Sequence, residues 1–261
     1  MVRARKRFGQ HFLEPVWVTK VMRAIDPVAS DVFVEIGPGR GALTRPLAAQ
    51  AGRVTAVEID RDLAADLRAA ALPNVTVVEG DFLELAPSAL PSDRTLRVAG
   101  NLPYNVASPI LFKLVDWFNE TGTLTDATLM LQREVADRLV AVPGTRDYGV
   151  LTILIGHSAQ VRRVLALPPG AFRPAPKVHS ALVQVRFRAP DPPVRDLALF
   201  RALVQAVFTR RRKTLANALQ AYASGVVPVP AALERANIDG KRRPETVTIA
   251  EFARLSDAIE L

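Results

Sequence analysis

Through the first two-thirds of this sequence, short runs rich in Val, Ile and Leu alternate with stretches of helical spacing. The apolar runs are VFVEIG (32–37), RVTAVEID (53–60), NVTVVEGD (74–81), LRVAGN (96–101) and ATLMLQ (127–132). LTRPLAAQ, RDLAADLRAA and ASPILFKLVDWFNE lie between them. A helix between two strands makes a crossover, so the strands run parallel and the helices cover both faces of the sheet. Strands buried on both faces read as near-continuous apolar runs, as these do. The pattern therefore predicts an α/β fold with a doubly wound, mostly parallel, Rossmann-like sheet. VRRVLAL (161–167) and VHSALVQVRFR (178–188) follow with no long helix between them, which predicts an antiparallel hairpin closing one sheet edge.

The composition shifts at RAPDPPVRD (188–196), a proline-rich stretch that reads as a linker. Beyond it, Phe200, Leu203, Val204, Val207 and Phe208 recur at helical spacing, and breaks follow at GVVPVP and DGKRRP. We expect a ligand-binding sheet domain over residues 1–191, with a basic N-terminal arm, and a small α-helical domain over 192–261. With 49% apolar residues in 261, the chain has enough for a large core and a smaller one.

The strand ends carry the chemistry. In an open parallel sheet, ligands bind beyond the carboxyl ends of the strands. EIGPGRGAL (35–43) falls where the first strand meets its helix, and Gly37 and Gly39 let a ligand approach the backbone. Glu58 ends the next strand about 20 residues on, where a carboxylate can accept hydrogen bonds from both ribose hydroxyls. Gly37, Gly39 and Ala42 also fit the looser dinucleotide pattern, so a nicotinamide cofactor remains an alternative at this point. Asp81 and Phe82 close the third strand and suit the amine and the flat face of an adenine. GNLPY (100–104) closes the fourth. There the Asn101 side-chain oxygen and a backbone carbonyl near Leu102–Pro103 can accept hydrogens from an amine, while Tyr104 offers a stacking face. An amine held by two acceptors beside an aromatic ring describes a nucleobase amino group, adenine or cytosine. A nicotinamide enzyme leaves GNLPY unexplained.

The order of motifs resembles the small-subunit ribosomal RNA adenine dimethyltransferases. The resemblance runs from RKRFGQHFL (5–13) through EIGPGRGALT, VEID, GDF, GNLPYNVASPI, MLQREVADRLVA, YGVLTILI and FRPAPKVHSALV to FTRRRKTLANAL, and so covers nearly the whole chain. It implies S-adenosylmethionine as cofactor, a methyltransferase sheet domain, and two methyl transfers to each of two adjacent adenines near the 3′ end of small-subunit rRNA, with a role in ribosome assembly. It places Gly37 against the methionine part of the cofactor, Glu58 on its ribose, Asp81 at its adenine and Asn101 near the sulfonium. His11 and Leu13 would close over the cofactor; bacterial members commonly carry Asn at the position of His11. A flipped adenine needs a second ring opposite Tyr104, and Phe172 in AFRPAPKVHS (171–180) is the expected source.

The net charge of +8 suits a polyanionic partner, here small-subunit rRNA or a small-subunit precursor. Arg3, Arg5, Lys6 and Arg7 could follow phosphates. Arg210, Arg211, Arg212 and Lys213 are consecutive, so they cannot form one helical stripe and predict a helix break or basic corner. Arg211, Arg212 and Lys213 are taken as RNA contacts. Cysteine is absent and the three histidines have no metal-ligand spacing, so no metal site is expected. No apolar run approaches a membrane span, and a cytoplasmic monomer is the expectation. Two rivals remain: a large-subunit rRNA adenine methylase of the macrolide-resistance type, and a non-catalytic RNA-binding assembly or transcription factor.

Overall fold

The computed structural model describes residues 11–90, 94–220 and 228–260. In chain order the elements are β1 (Phe12–Leu13), α1 (Pro15–Ile25), β2 (Val32–Ile36), α2 (Thr44–Gln50), β3 (Arg53–Glu58), α3 (Arg61–Ala69), β4 (Val75–Glu79), β5 (Leu96–Asn101), α4 (Ala107–Thr121) and β6 (Leu124–Gln132). There follow α5 (Arg133–Leu139), α6 (Val150–Ser158), β7 (Ala159–Leu167), β8 (Phe172–Arg173), β9 (Ser180–Phe187), α7 (Leu197–Thr209), α8 (Leu215–Gln220), α9 (Val229–Ala236) and α10 (Ile249–Glu260). The basic arm, Arg3 to Arg7, lies outside the described residues.

Seven strands form one sheet in the order β4-β3-β2-β5-β6-β9-β7. The pairs β4–β3, β3–β2, β2–β5 and β5–β6 are parallel, as the crossover helices require. β9 runs antiparallel to β6, with Gln132 opposite Ser180 and Met130 opposite Leu182. β7 lies beside β9 at the edge of the sheet, so the two strands expected to close that edge are neighbours there. The pairing delivers the start of β9 to the edge where β5 and β6 end. β7 closes the sheet with Arg162 and Arg163 exposed, charges that discourage edge-to-edge pairing. A separate two-stranded ribbon pairs β1 with β8, Phe12 opposite Arg173 and Leu13 opposite Phe172.

Three helices differ from the sequence reading, among them the two-turn α5. α1 falls where no element is expected; Pro15 at its first turn and the buried Val21, Met22 and Ile25 mark it. α6, VLTILIGHS, is apolar on nearly every side, and such a short run cannot be told from a strand by periodicity.

The chain divides into two compact units. The first holds the described residues up to Ala136 together with Val161–Phe187, and contains the sheet. Its core beneath the ribbon joins Leu13, Met22, Phe33, Leu47, Met130 and Phe172. The second holds Asp137–Gln160 and the described residues from Arg188 onward, so α6 packs with α7 and α10. Tyr148, Phe200, Leu203 and Phe252 fill its core, and the Tyr148 hydroxyl donates to the Val247 carbonyl at 2.9 Å.

Arg97, near the start of β5, ties together the sheet edge opposite the glycine turn. Its guanidinium meets Asp31 at 2.7 Å and Asp126 at 3.0 Å, and donates to the Ile25 and Asp26 carbonyls at the end of α1. Both acids are mostly buried, so removing the cation leaves two carboxylates uncompensated. Arg97→Met is expected to destabilise the protein by about 3 kcal/mol, measured as a lower urea midpoint at unchanged slope.

Candidate functional site

The turn after β2 is shaped by glycine. Gly37 and Gly39 have φ of 67° and 57°, a region that disfavours side chains. A Cβ on Gly39 would also stand 3.1 Å from the Phe12 ring of β1. Glu58, at the end of β3, holds this turn from below. One of its oxygens accepts the Gly39 N–H at 2.9 Å and the other the Asp60 N–H at 2.9 Å. Burial raises its pKa, and the two backbone N–H groups pull it back. Each oxygen keeps a lone pair, so the carboxylate can still accept two hydroxyls.

Beside it, Ile36, Ile59, Phe82, Val106 and Ile110 line an apolar cavity that has Asp81 in its wall. Asp81 Oδ1 accepts the Leu83 N–H at 2.8 Å, which fixes the carboxylate and leaves Oδ2 for a ligand amine. Lys113 Nζ donates to the Leu83 carbonyl at 2.6 Å and braces the same loop. Burial lowers the Lys113 pKa and Asp81 raises it. An apolar slot with one acceptor fits an adenine ring.

The second cavity shares Gly37, Ile59 and Pro103 with the first and adds His11, Leu13, Glu58, Asn101 and Tyr104. Asn101 Nδ2 donates to the His11 carbonyl at 2.6 Å. That bond sets the amide orientation and leaves Oδ1 as the free acceptor. The His11 ring stacks on Tyr104, with centroids 5.6 Å apart and planes 26° apart. His11 Nδ1 lies 2.7 Å from the Pro174 carbonyl, so Nδ1 carries the hydrogen. Leu102 is buried and donates its N–H to Met130 at 3.2 Å. The Pro103 carbonyl accepts the Val106 N–H at 3.2 Å, which favours the Leu102 carbonyl as the second acceptor.

Most of the residues expected from sequence therefore meet at one sheet edge: His11, Leu13, Gly37, Gly39, Glu58, Asp81, Asn101, Leu102, Pro103 and Tyr104. Phe172 stands apart. Its ring is 1% exposed and packs in the core under the ribbon, so it presents no face to a base here; the ring beside Tyr104 is His11. The reason is register: pairing Phe172 with Leu13 turns both side chains to the same apolar interior.

Sequence reasoning missed Glu35. This acid sits inside the β2 run, 1% exposed, against the second cavity, and its Oε2 has no partner. Desolvation raises its pKa to about 8, with Thr44 lowering it and Glu58 raising it further. A carboxyl amid an apolar strand is a local conflict, and that was the available signal.

In the second unit, α7 ends at Thr209 and α8 begins at Leu215, so the basic run forms a corner. Arg211 donates to the Thr145 carbonyl at 3.2 Å and lies 3.8 Å from Glu245. Arg212 and Lys213 are exposed. Among the described residues no helix is long and apolar enough to cross a membrane.

The family described as "Ribosomal RNA adenine dimethylase" matches residues 1–260. The chain is 43% identical over 260 residues to "Ribosomal RNA small subunit methyltransferase A" of Aromatoleum aromaticum, covering 98% of this chain and 94% of that one. The protein of the same name in Marinobacter nauticus is 42% identical, with 98% and 91% covered. The fold matches a dimethyladenosine transferase from Plasmodium falciparum, with a TM-score of 0.80, 25% identity and 94% and 96% coverage. It also matches the 23S rRNA methyltransferase ErmE, with a TM-score of 0.69, 29% identity and 96% and 100% coverage.

Glu35 generates a pH prediction. Its ordinary pKa is 4.5 and its folded value about 8, so the folded protein holds a proton that the unfolded chain releases. Stability from this group is complete below 4.5 and declines as pH rises to about 8. Glu35→Gln should therefore raise the urea midpoint relative to wild type at pH 8 to 9, and flatten its pH dependence between pH 4.5 and about 8.

Proposed function

This chain belongs to the ribosomal RNA adenine dimethylase family, and from that premise we propose that it dimethylates two adjacent adenines near the 3′ end of small-subunit rRNA. It is an S-adenosylmethionine-dependent methyltransferase acting on ribosomal RNA adenine. The small-subunit target is supported by relatives of that name at 42–43% identity over nearly the full length, against 29% for the 23S enzyme structure. The observation that carries the reading is the convergence of Glu58, Asn101, the Leu102–Pro103 backbone and Tyr104 on one cavity.

S-adenosylmethionine supplies a methyl already activated on a sulfonium. The residues do the positioning. Glu58 takes the ribose hydroxyls, Asp81 and Phe82 the adenine, and Gly37 and Gly39 the close approach of the methionine part. His11 and Leu13 cover it from the ribbon. A target adenine leaves its stack and lies on Tyr104. Its amine is a poor nucleophile because the lone pair is delocalised into the ring. Asn101 Oδ1 and the Leu102 carbonyl accept its hydrogens, aim the lone pair at the methyl and stabilise the positive charge that develops on nitrogen. No strong base is required.

The sheet unit does this chemistry, while the helical unit, which takes in Asp137–Gln160 as well as the residues beyond the expected boundary at 192, docks the protein on the small-subunit precursor through Arg211, Arg212 and Lys213. The site residues all fall in the first unit and the basic corner in the second, which supports that division. We place the work in the cytoplasm, by a monomer, as a step in ribosome assembly. Labelled cofactor incubated with small-subunit particles, large-subunit particles or naked rRNA, followed by mapping of the methylated base, tests the whole reading. Label confined to large-subunit RNA, or none at all, overturns it.

Asn101→Ala should leave the fold intact and reduce methyl transfer by about 100-fold or more, measured in single turnover with both ligands saturating. Replacing Arg212 and Lys213 with Gln should weaken particle binding and reduce the slope of log affinity against log salt by roughly 0.7–0.9 for each phosphate that is no longer neutralised. Calorimetry with S-adenosylhomocysteine should show unchanged cofactor affinity.

A further inference from the structure

The Tyr104 hydroxyl lies 2.8 Å from Ser180 Oγ. Stacking alone does not need that hydroxyl, since a phenylalanine ring has the same face. Resting on the reading of Tyr104 as the platform for the target base, we propose that Ser180 is a positioning residue, whose hydroxyl holds the Tyr104 ring at the tilt on which adenine stacks.

The two residues come from opposite directions. Tyr104 follows Pro103 in the loop between β5 and α4 and is only partly buried. Its backbone is flanked by bonds from Leu102 N–H to Met130 and from Val106 N–H to Pro103. Nothing in that loop fixes rotation of the ring about its side-chain torsions. Ser180, by contrast, is 2% exposed at the first position of β9. It is held opposite Gln132 by the sheet, and the Arg133 N–H binds the neighbouring His179 carbonyl at 2.9 Å. A hydroxyl on so rigid a support is an anchor, and a buried hydroxyl costs free energy unless it is bonded. The far end of the ring is thus pinned to the sheet while its near end is set by the loop.

The geometry links this bond to the reacting amine. Asn101, Met130 and Leu182 lie in register across β5, β6 and β9. The acceptor for the amine and the anchor for the stacking ring therefore belong to one rigid lattice. A base laid on a tethered Tyr104 meets Asn101 Oδ1 at a fixed angle; on an untethered ring that angle varies, and fewer bound bases are aligned for transfer. Burial raises the Tyr104 pKa above its ordinary value, against the pull of the Ser180 bond, so the phenol stays protonated.

The test is a double-mutant cycle on full-length protein with small-subunit particles, measuring single-turnover methyl transfer at saturating cofactor and RNA. Ser180→Ala and Tyr104→Phe should each slow transfer about 3- to 10-fold, the range expected for one neutral hydrogen bond. The double variant should be no slower than either single one, because both remove the same bond. Ser180→Thr, which keeps the hydroxyl, should restore the rate, and S-adenosylhomocysteine affinity should stay at the wild-type value throughout. A Tyr104→Phe rate within about twofold of wild type overturns the proposal, and so do losses that multiply in the double variant or a parallel loss of cofactor affinity. If Ser180→Ala fails to fold, Tyr104→Phe removes the same bond and decides the question by its rate. A wild-type protein that does not methylate the particles refutes the functional reading instead, so the two failures are distinct.

Discussion

A single buried carboxylate organises the working edge of this sheet. Glu58 sits at the end of β3 and accepts the N–H of Gly39 on one oxygen and of Asp60 on the other. The first bond fixes the glycine turn that follows β2; the second fixes the entry to α3. The carboxylate proposed for the ribose therefore also shapes the glycine turn. Burying it is costly, as its raised pKa shows, and two backbone donors offset that cost without using up its acceptor capacity.

Around this point the site is assembled from segments far apart in the chain. The His11 carbonyl, just before a two-residue strand, orients the Asn101 amide. Ser180, from the antiparallel strand, meets Tyr104. Both depend on chain reversals: β1 must pair with β8 to bring His11 across, and β9 must run against β6 so that its first residue arrives at the carboxyl edge. A parallel β9 would deliver its last residue there instead. The opposite edge is held by Arg97 between Asp31 and Asp126, away from the candidate site.

The helical unit follows a different logic. Its core is aliphatic and aromatic, and its basic corner arises because α7 stops at Thr209. Four consecutive cations gain little as a helix, and the turn spreads them. Arg211 is partly engaged with Thr145 and Glu245, whereas Arg212 and Lys213 are exposed.

The sequence alone determined the parallel sheet, because apolar runs separated by helices admit few other topologies. It determined the strand-end residues too: Gly37, Gly39, Glu58, Asp81 and Asn101 are local, each placed by the strand it terminates. It left α1, α5 and α6 unread: α1 precedes the first strong strand, α5 is only two turns long, and a short run apolar on nearly all sides, as in α6, has no period to read. Only the tertiary structure decided which rings and acids face the site. Phe172 looked like the partner of Tyr104 but was turned into the core by its register with Leu13, and His11 took the place beside Tyr104. Glu35 became a protonated acid, and Ser180 an anchor, through burial and long-range pairing. The physical reason is the same for each. A strand's end is set by its own residues, but the direction and environment of a side chain are set by a neighbour many residues away, and no local pattern encodes that neighbour.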